Sequence, residues 1–216
     1  MYASSEKTRD DLIDAAGELA AEIGFPNVST RAIAKRANAN IGSIHYHFGG
    51  KNALFEAVVK SVMIFRDRFS VKDAIAPFLD VLDTPEGQAN AVRAVIKRNV
   101  RVTFDKKRPW WHMRVVYQVF QFKCGLQNVL DSMVQDEENA VIELISRIKP
   151  DLTQQQYVLR FLVMSTPVFF QADYYETILE RLESDEFSEE YLRDMEDILT
   201  RQTQFILGLP VDELDK

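Results

Sequence analysis

Apolar residues recur along this chain at helical spacing almost from end to end, and no convincing alternating stretch with hairpin punctuation interrupts them. Leu12, Ala16, Leu19 and Ile23 mark a first helix, which Gly24 stops, with Pro26 just beyond. "VSTRAIAKRA" is a second. Ser29 can accept from the unpaired amides of its first turn, and Val28 and Ile33 stand at the two positions of a hydrophobic staple. Ile33, Ala34 and Ala37 make a small, close-packing face before "ANAN" breaks the pattern. A third, short helix sets Ile41, Ile44 and Phe48 in a narrow arc at about 100° per residue. Those three are its expected anchors, and Gly42, Ser43, Tyr46 and His47 turn the other way. Gly49 and Gly50 end it, and "KNALFEAVVKSVMIFRDRF" opens a longer helix with Leu54, Val58, Val62 and Phe65 on one side.

Beyond about residue 72 the helices lengthen. Thr84 caps the next one, with Pro85 at its first helical position. "RPWWHMRVVYQVFQFK" is apolar over most of its circumference and should be buried, with Trp111, Val115, Val119, Phe122 and Leu126 as its core stripe. Thr153 and Gln156 form a capping box ahead of "YVLRFLVMSTPVFFQ", and a last helix runs from Ser188 to a stop at Gly208. The expected fold is all-α.

Composition changes this picture little. With 216 residues, 46% of them hydrophobic, the chain can build a sizeable core in one or two domains. Its one cysteine, Cys124, excludes a disulfide framework and fits a reducing, cytoplasmic compartment. Charges interrupt the N-terminal segment, so it has no signal-peptide core. No run of about 18 uncharged apolar residues exists, so no membrane contact is expected. The net charge of −7 argues against nucleic acid until its distribution is considered. Residues 26–60 carry Arg31, Lys35, Arg36, Lys51 and Lys60 against the single acid Glu56, while acids concentrate between Asp173 and Asp215.

The string "NIGSIHYHFGGK", residues 40–51, lies inside that basic window and poses the functional question. Metal binding fits poorly. A helix brings ligands together at spacings of three or four, whereas His45 and His47 are two apart and diverge by roughly 160°. Catalysis fits no better, because the string holds no acid and no nucleophile elbow surrounds Ser43. No metal, cofactor or enzymatic role is expected. Two short helices joined by a four-residue break, with small residues where they cross, make a helix-turn-helix. Gly42 and Ser43 would let the backbone approach base edges in the major groove. Tyr46 and His47 would donate to phosphates, and Lys51 would add charge.

"STRAIAKRANANIGSIHYHFGGKNALF" resembles the DNA-binding segment of the tetracycline-repressor (TetR/AcrR) family of bacterial transcription regulators. The shared positions are Thr30, Ile33, Ala34, Ala37, Gly42, Ile44, His47, Phe48, Lys51 and Leu54, and the likeness covers roughly residues 8–60. His45 stands where that family usually has tyrosine, Asn40 replaces a serine or threonine and can still cap, and Asn52 replaces a glutamate. The resemblance implies phosphate contacts from Thr30, His45, Tyr46, His47 and Lys51, and base-edge proximity for Ile41, Gly42 and Ser43. Asn40 opens the same helix, and Arg31 joins the set from its place in the first turn of the second helix. It implies an N-terminal domain, residues 1–50, and a helical effector-binding and dimerisation domain, residues 51–216. It further implies a homodimer on a palindromic double-stranded operator, most simply a repressor, released by a small molecule. The other reading is an all-helical enzyme or carrier whose first helices are structural.

In the larger part, two stretches compete for the dimer face: 153–171, with Phe161, and 189–208, with Tyr191, Met195, Ile198, Gln202 and Phe205 in one stripe. Periodicity alone fits packing on the chain's own core equally well, and the resemblance favours dimerisation through both stretches. Trp110, Arg114, Tyr117, Gln118 and Gln121 lie opposite the 111–126 core stripe. With Phe104 and Phe169 they are candidate effector contacts, or the face is merely partly wet around a paired Arg114.

Overall fold

The computed structural model describes residues 2–67, 69–121 and 125–211, without the side chains of residues 2–4, 65–67, 120, 121, 130 and 133. The expectations for the side chains of Phe65, Gln121, Phe122 and Cys124 therefore lie outside the described residues. No strand occurs among the described residues, and the chain is all-α. In order the helices are α1 (Tyr2–Ile23), α2 (Thr30–Arg36), α3 (Ile41–Phe48), α4 (Lys51–Asp67), α5 (Val71–Ile75), α6 (Pro85–Thr103), α7 (Trp111–Gln121), α8 (Gln127–Ile148), α9 (Gln154–Asp173), α10 (Tyr175–Arg181) and α11 (Glu189–Leu207).

The caps fall where the residues place them. Ala32 N donates to Ser29 Oγ at 3.1 Å, and Gly42 N donates to Asn40 Oδ1 at 2.8 Å. Thr84 Oγ1 accepts from Gly87 N at 3.0 Å, and Thr153 and Gln156 close their capping box. Gly24, Gly49 and Gly208 adopt the positive φ that lets the chain leave a helix without strain.

Two compact units result. One is Met1–Arg68 with Lys106–Val134, the other Phe69–Asp105 with Gln135–Lys216. The sequence places one boundary, after residue 50. In the first unit α1 packs on α2, α4 and α7, so α4 and α7 belong to the same core as α1 and α2. Leu12, Ala16, Ile33, Ile44, Leu54 and Val58 fill that core from the first four helices, and Trp111, Val115 and Val119 fill it from α7. The α7 stripe is core, as its spacing predicts. The helix itself starts one residue later than the apolar run, so Trp110 precedes it.

His112 is buried in this unit beside Trp111. Burial, and then the Arg108 guanidinium, push its pKa down to about 3. An unfolded imidazole titrates near 6.5, so on acidification the unfolded chain takes up its proton first. The stability His112 supports is full above about pH 6.5 and falls below it. Replacing His112 by Phe should remove this term, so between pH 8 and pH 5 the stability of the parent should drop by about 2 kcal/mol more than that of the variant. Urea melts across that range check the difference.

In the second unit α6 is central and packs against α5, α9 and α11. Val92, Val95, Ile96, Leu144, Ile145, Val168, Leu199 and Leu207 form its core. Arg98 is buried there but paired: its guanidinium donates to Glu137 Oε1 at 2.7 Å, to Asn99 Oδ1 at 3.0 Å and to the Phe69 carbonyl. A buried charge without such partners would be strongly destabilising.

Candidate nucleic-acid interface

The turn between α2 and α3 is sharp because Asn38 takes φ 49°, a left-handed conformation that asparagine tolerates, and Ala39 N donates to Ala34 O at 2.9 Å. Ile44 is buried in the core, and Phe48 packs against it under the Arg9 guanidinium, 5.4 Å from the ring centroid. These two hold α3 in place. Ile41 does not: it is 49% exposed, which corrects its expected role as a third anchor. Anchoring by Ile44 and Phe48 leaves Ile41, Gly42, His45 and Tyr46 exposed along the helix, with Ser43 and His47 half-buried at its margin. Tyr46 is 81% exposed, with the His47 ring edge-on at 4.9 Å. On α2, Arg31 is exposed and Thr30 half-buried, and Asn40 commits its side-chain oxygen to the cap. One exposed strip of α3 and its cap therefore carries Asn40, Ile41, Gly42, His45 and Tyr46, and Arg31 is exposed on α2.

A model of the family described as "Bacterial regulatory proteins, tetR family" matches residues 12–58, the stretch that builds this strip and the core beneath it. The segment belongs to the tetR family. The chain is 36% identical over 59 residues, 27% of its length, to the uncharacterized HTH-type transcriptional regulator TtgW of Pseudomonas putida, and so spans only 44% of that protein. It is 27% identical over 150 residues to the HTH-type transcriptional regulator BetI of Escherichia coli, covering 68% of this chain and 71% of BetI. A TetR-like transcriptional regulator from Rhodococcus sp. RHA1 has the same fold, with a TM-score of 0.58 over 93% of this chain and 96% of that one, at 21% identity.

In this tetR-family head the basic window is less positive than a count of residues implies. Arg36 is clamped to α1: it donates to both oxygens of Glu22 at 3.0 and 2.9 Å and to Glu18 Oε2 at 3.0 Å. The pairing lowers the Glu22 pKa and raises that of Arg36. Lys60 lies 3.8 Å from Glu56. Arg31 and Lys35 remain exposed. Sequence reasoning passed over Arg9, which reaches the end of α3 from 39 positions away in the chain. Nothing in the local pattern could signal that contact.

Lys51 has two functions to weigh. Its ammonium donates to the Val28 carbonyl at 2.8 Å and lies 5.3 Å from the Phe55 ring centroid, tying the start of α4 to the entry of α2. Two further N–H donors remain for a phosphate. Lys51→Ala should therefore lower the slope of log Kd against log salt by about one and also cost about 1 kcal/mol of stability. Titrations at several salt concentrations and a urea melt read the two effects separately. A stability loss with an unchanged slope would leave Lys51 a tie alone.

The candidate effector residues fall in both units. Trp110, Arg114, Tyr117 and Gln118 fall in the first unit, Phe104 and Phe169 in the second. Gln118 turns toward α1, donating to Ala21 O at 3.4 Å, because α7 packs on that helix. Phe104 is engaged edge-on with Phe187, at 5.2 Å between centroids. Arg114 lies 5.8 Å from the Trp110 ring centroid, a cation–π contact. A water-sized notch in the second unit, lined by Arg160, Met164, Thr203 and Leu207 among others, involves none of these residues.

The expected dimer stripe on α11 divides. Met195 is core, and Tyr191 is half-buried, stacked on Phe187 and donating to Gln171 Oε1 at 2.7 Å. Both turn inward because α11 packs on α6 along that side, and Phe161 is likewise half-buried against the core. Ile198 and Phe205 stay outside, 64% and 78% exposed, with Gln202 between them.

Proposed function

We propose that this chain is a DNA-binding transcriptional regulator that reads a palindromic operator as a homodimer, represses from it, and is released by a small molecule. The observation that carries the reading is the α3 strip: Ile44 and Phe48 hold the helix to the core, and a glycine-bearing face with Ile41, His45 and Tyr46 is left outside. The relatives TtgW and BetI are HTH-type transcriptional regulators, which supports it. A bacterial regulator of this kind works in the cytoplasm on double-stranded DNA and needs no chemistry of its own. Its effector would act by preferring one spacing of the two heads, since a ligand shifts an equilibrium only through differential affinity.

Selection of binders from a random duplex pool at two salt concentrations tests the reading. An enriched palindrome is expected, with half-site centres about one helical turn, ~34–36 Å, or a multiple apart. No salt-dependent binding at all would overturn it in favour of the all-helical enzyme or carrier.

Support for the homodimer is the exposed apolar surface of α9 and α11, which pack on each other in the second unit: Leu159, Leu162 and Phe170 on one, Ile198, Phe205 and Ile206 on the other. Exposed aliphatic and aromatic surface of this extent on two adjacent helices supports a dimer that buries it. Ile198→Glu with Phe205→Glu should give a monomer in sedimentation analysis, with weaker operator binding and an unchanged melting profile at low protein concentration. A double variant that remains a dimer would move the interface elsewhere.

A further inference from the structure

Ile41 is not among the residues that build the core of the first unit. It occupies the first position of α3, where any residue without special backbone needs would serve and a β-branched one has no advantage. It is 49% exposed and stands outside the core that takes up Ile44 and Phe48. Its neighbours leave it prominent. Gly42 has no side chain, and Asn40 is turned back by its cap, the Gly42 amide donating to Asn40 Oδ1 at 2.8 Å. The other exposed side chains of α3, His45 and Tyr46, carry polar groups.

A major-groove edge is almost wholly polar. Donors and acceptors face outward from all four base pairs, and the one apolar group among them is the C5-methyl of thymine. An aliphatic side chain held at the entry of the recognition helix has that single complementary feature to meet. We infer that Ile41 selects a thymine in each operator half-site by packing on its C5-methyl group. The inference rests on the DNA-binding reading above and goes further by naming a base and the residue that selects it. It assigns Ile41 to discrimination rather than to helix anchoring, and leaves phosphate contacts to Arg31, Tyr46 and the margin of the strip.

The test uses the duplex enriched by selection. Each thymine is replaced in turn, in both half-sites together, by deoxyuridine, which pairs identically and lacks only the methyl. Removing one methyl from an apolar contact should weaken binding about fourfold per half-site, or roughly tenfold or more for the pair. The parent protein should show this loss at one thymine position. Ile41→Ala should bind the thymine and deoxyuridine duplexes equally there, and Ile41→Val should discriminate less than the parent. Melting temperatures of both variants should match the parent, because the residue is not core. Equal binding of both duplexes by the parent at every position, or a selected half-site with no thymine, would overturn the inference while leaving the regulator reading intact. So would an undiminished preference in Ile41→Ala. Failure to bind any duplex would overturn the regulator reading and this inference with it.

Discussion

Gly42→Leu is expected to lose operator binding while keeping the fold. The glycine is not demanded by its backbone, since its φ is outside the left-handed region. Nor is it demanded by packing: a Cβ built there meets only Asn40 Oδ1, at 3.2 Å. That oxygen is the cap acceptor, so a side chain would push the cap slightly, at a cost of about 1 kcal/mol or less. Replacing glycine by leucine inside a helix returns about as much. The folded state should be nearly indifferent, with a melting temperature within a few degrees of the parent. The interface should not be. A leucine side chain on the exposed strip would hold the backbone of α3 away from the base edges, and each half-site would lose roughly what a base contact is worth, ~1–3 kcal/mol. Over two half-sites the affinity should fall by ~30-fold to ~10⁴-fold. Gly42→Ala should fall between. Binding titrations alongside thermal melts check this. A variant that melts early would mean that glycine serves packing after all, and one that binds normally would take Gly42 off the interface.

The same glycine shows how far the head was legible in the sequence. Local signals were strong there. Ser29, Asn40 and Gly49 each specify a helix end by hydrogen-bonding chemistry that acts within three or four residues, and all three do so in the structure. Ile44 and Phe48 anchor α3 as their spacing predicts. Ile41 fails because periodicity cannot tell a side chain that reaches the core from one that sits a turn too early on the same arc. Legibility fell further where partners are distant in sequence. That Arg36 spends its charge on Glu18 and Glu22, that Arg9 covers Phe48, and that Gln118 turns to the backbone of α1 are all consequences of tertiary packing. Met195 and Ile198 lie three residues apart on one stripe, yet only the packing of α6 decides that the first is core and the second is free. The α7 stripe was readable as buried. What it packs on was not, and that contact carries the other large effect.

Trp111→Ala is expected to destabilise the protein by about 3–5 kcal/mol, the range for deleting a buried aromatic, and to lower the melting temperature by roughly 6–20 °C. Trp111 is 2% exposed and lies against Gly17 of α1 so closely that a Cβ on that glycine would stand 2.5 Å from the indole. Gly17 therefore occupies an otherwise continuous helix for the sake of the ring, and the α1–α7 contact is built as a large residue over a missing one. A second measurement follows from that pairing and separates it from ordinary hydrophobic loss. In the parent, Gly17→Ala should destabilise, because overpacking costs about 1–3 kcal/mol and outweighs the ~1 kcal/mol that alanine gains in a helix. In the Trp111→Ala background the ring is gone, the added methyl enters the vacated space, and the helix gain stands unopposed. The same substitution should then stabilise. Chemical denaturation of the four proteins in the cycle gives the coupling directly. Reversal of sign is the signature of a contact made by shape. Simple additivity would mean that the indole and Gly17 do not meet, and that α7 is held to α1 by Val115 and Val119 without the tryptophan.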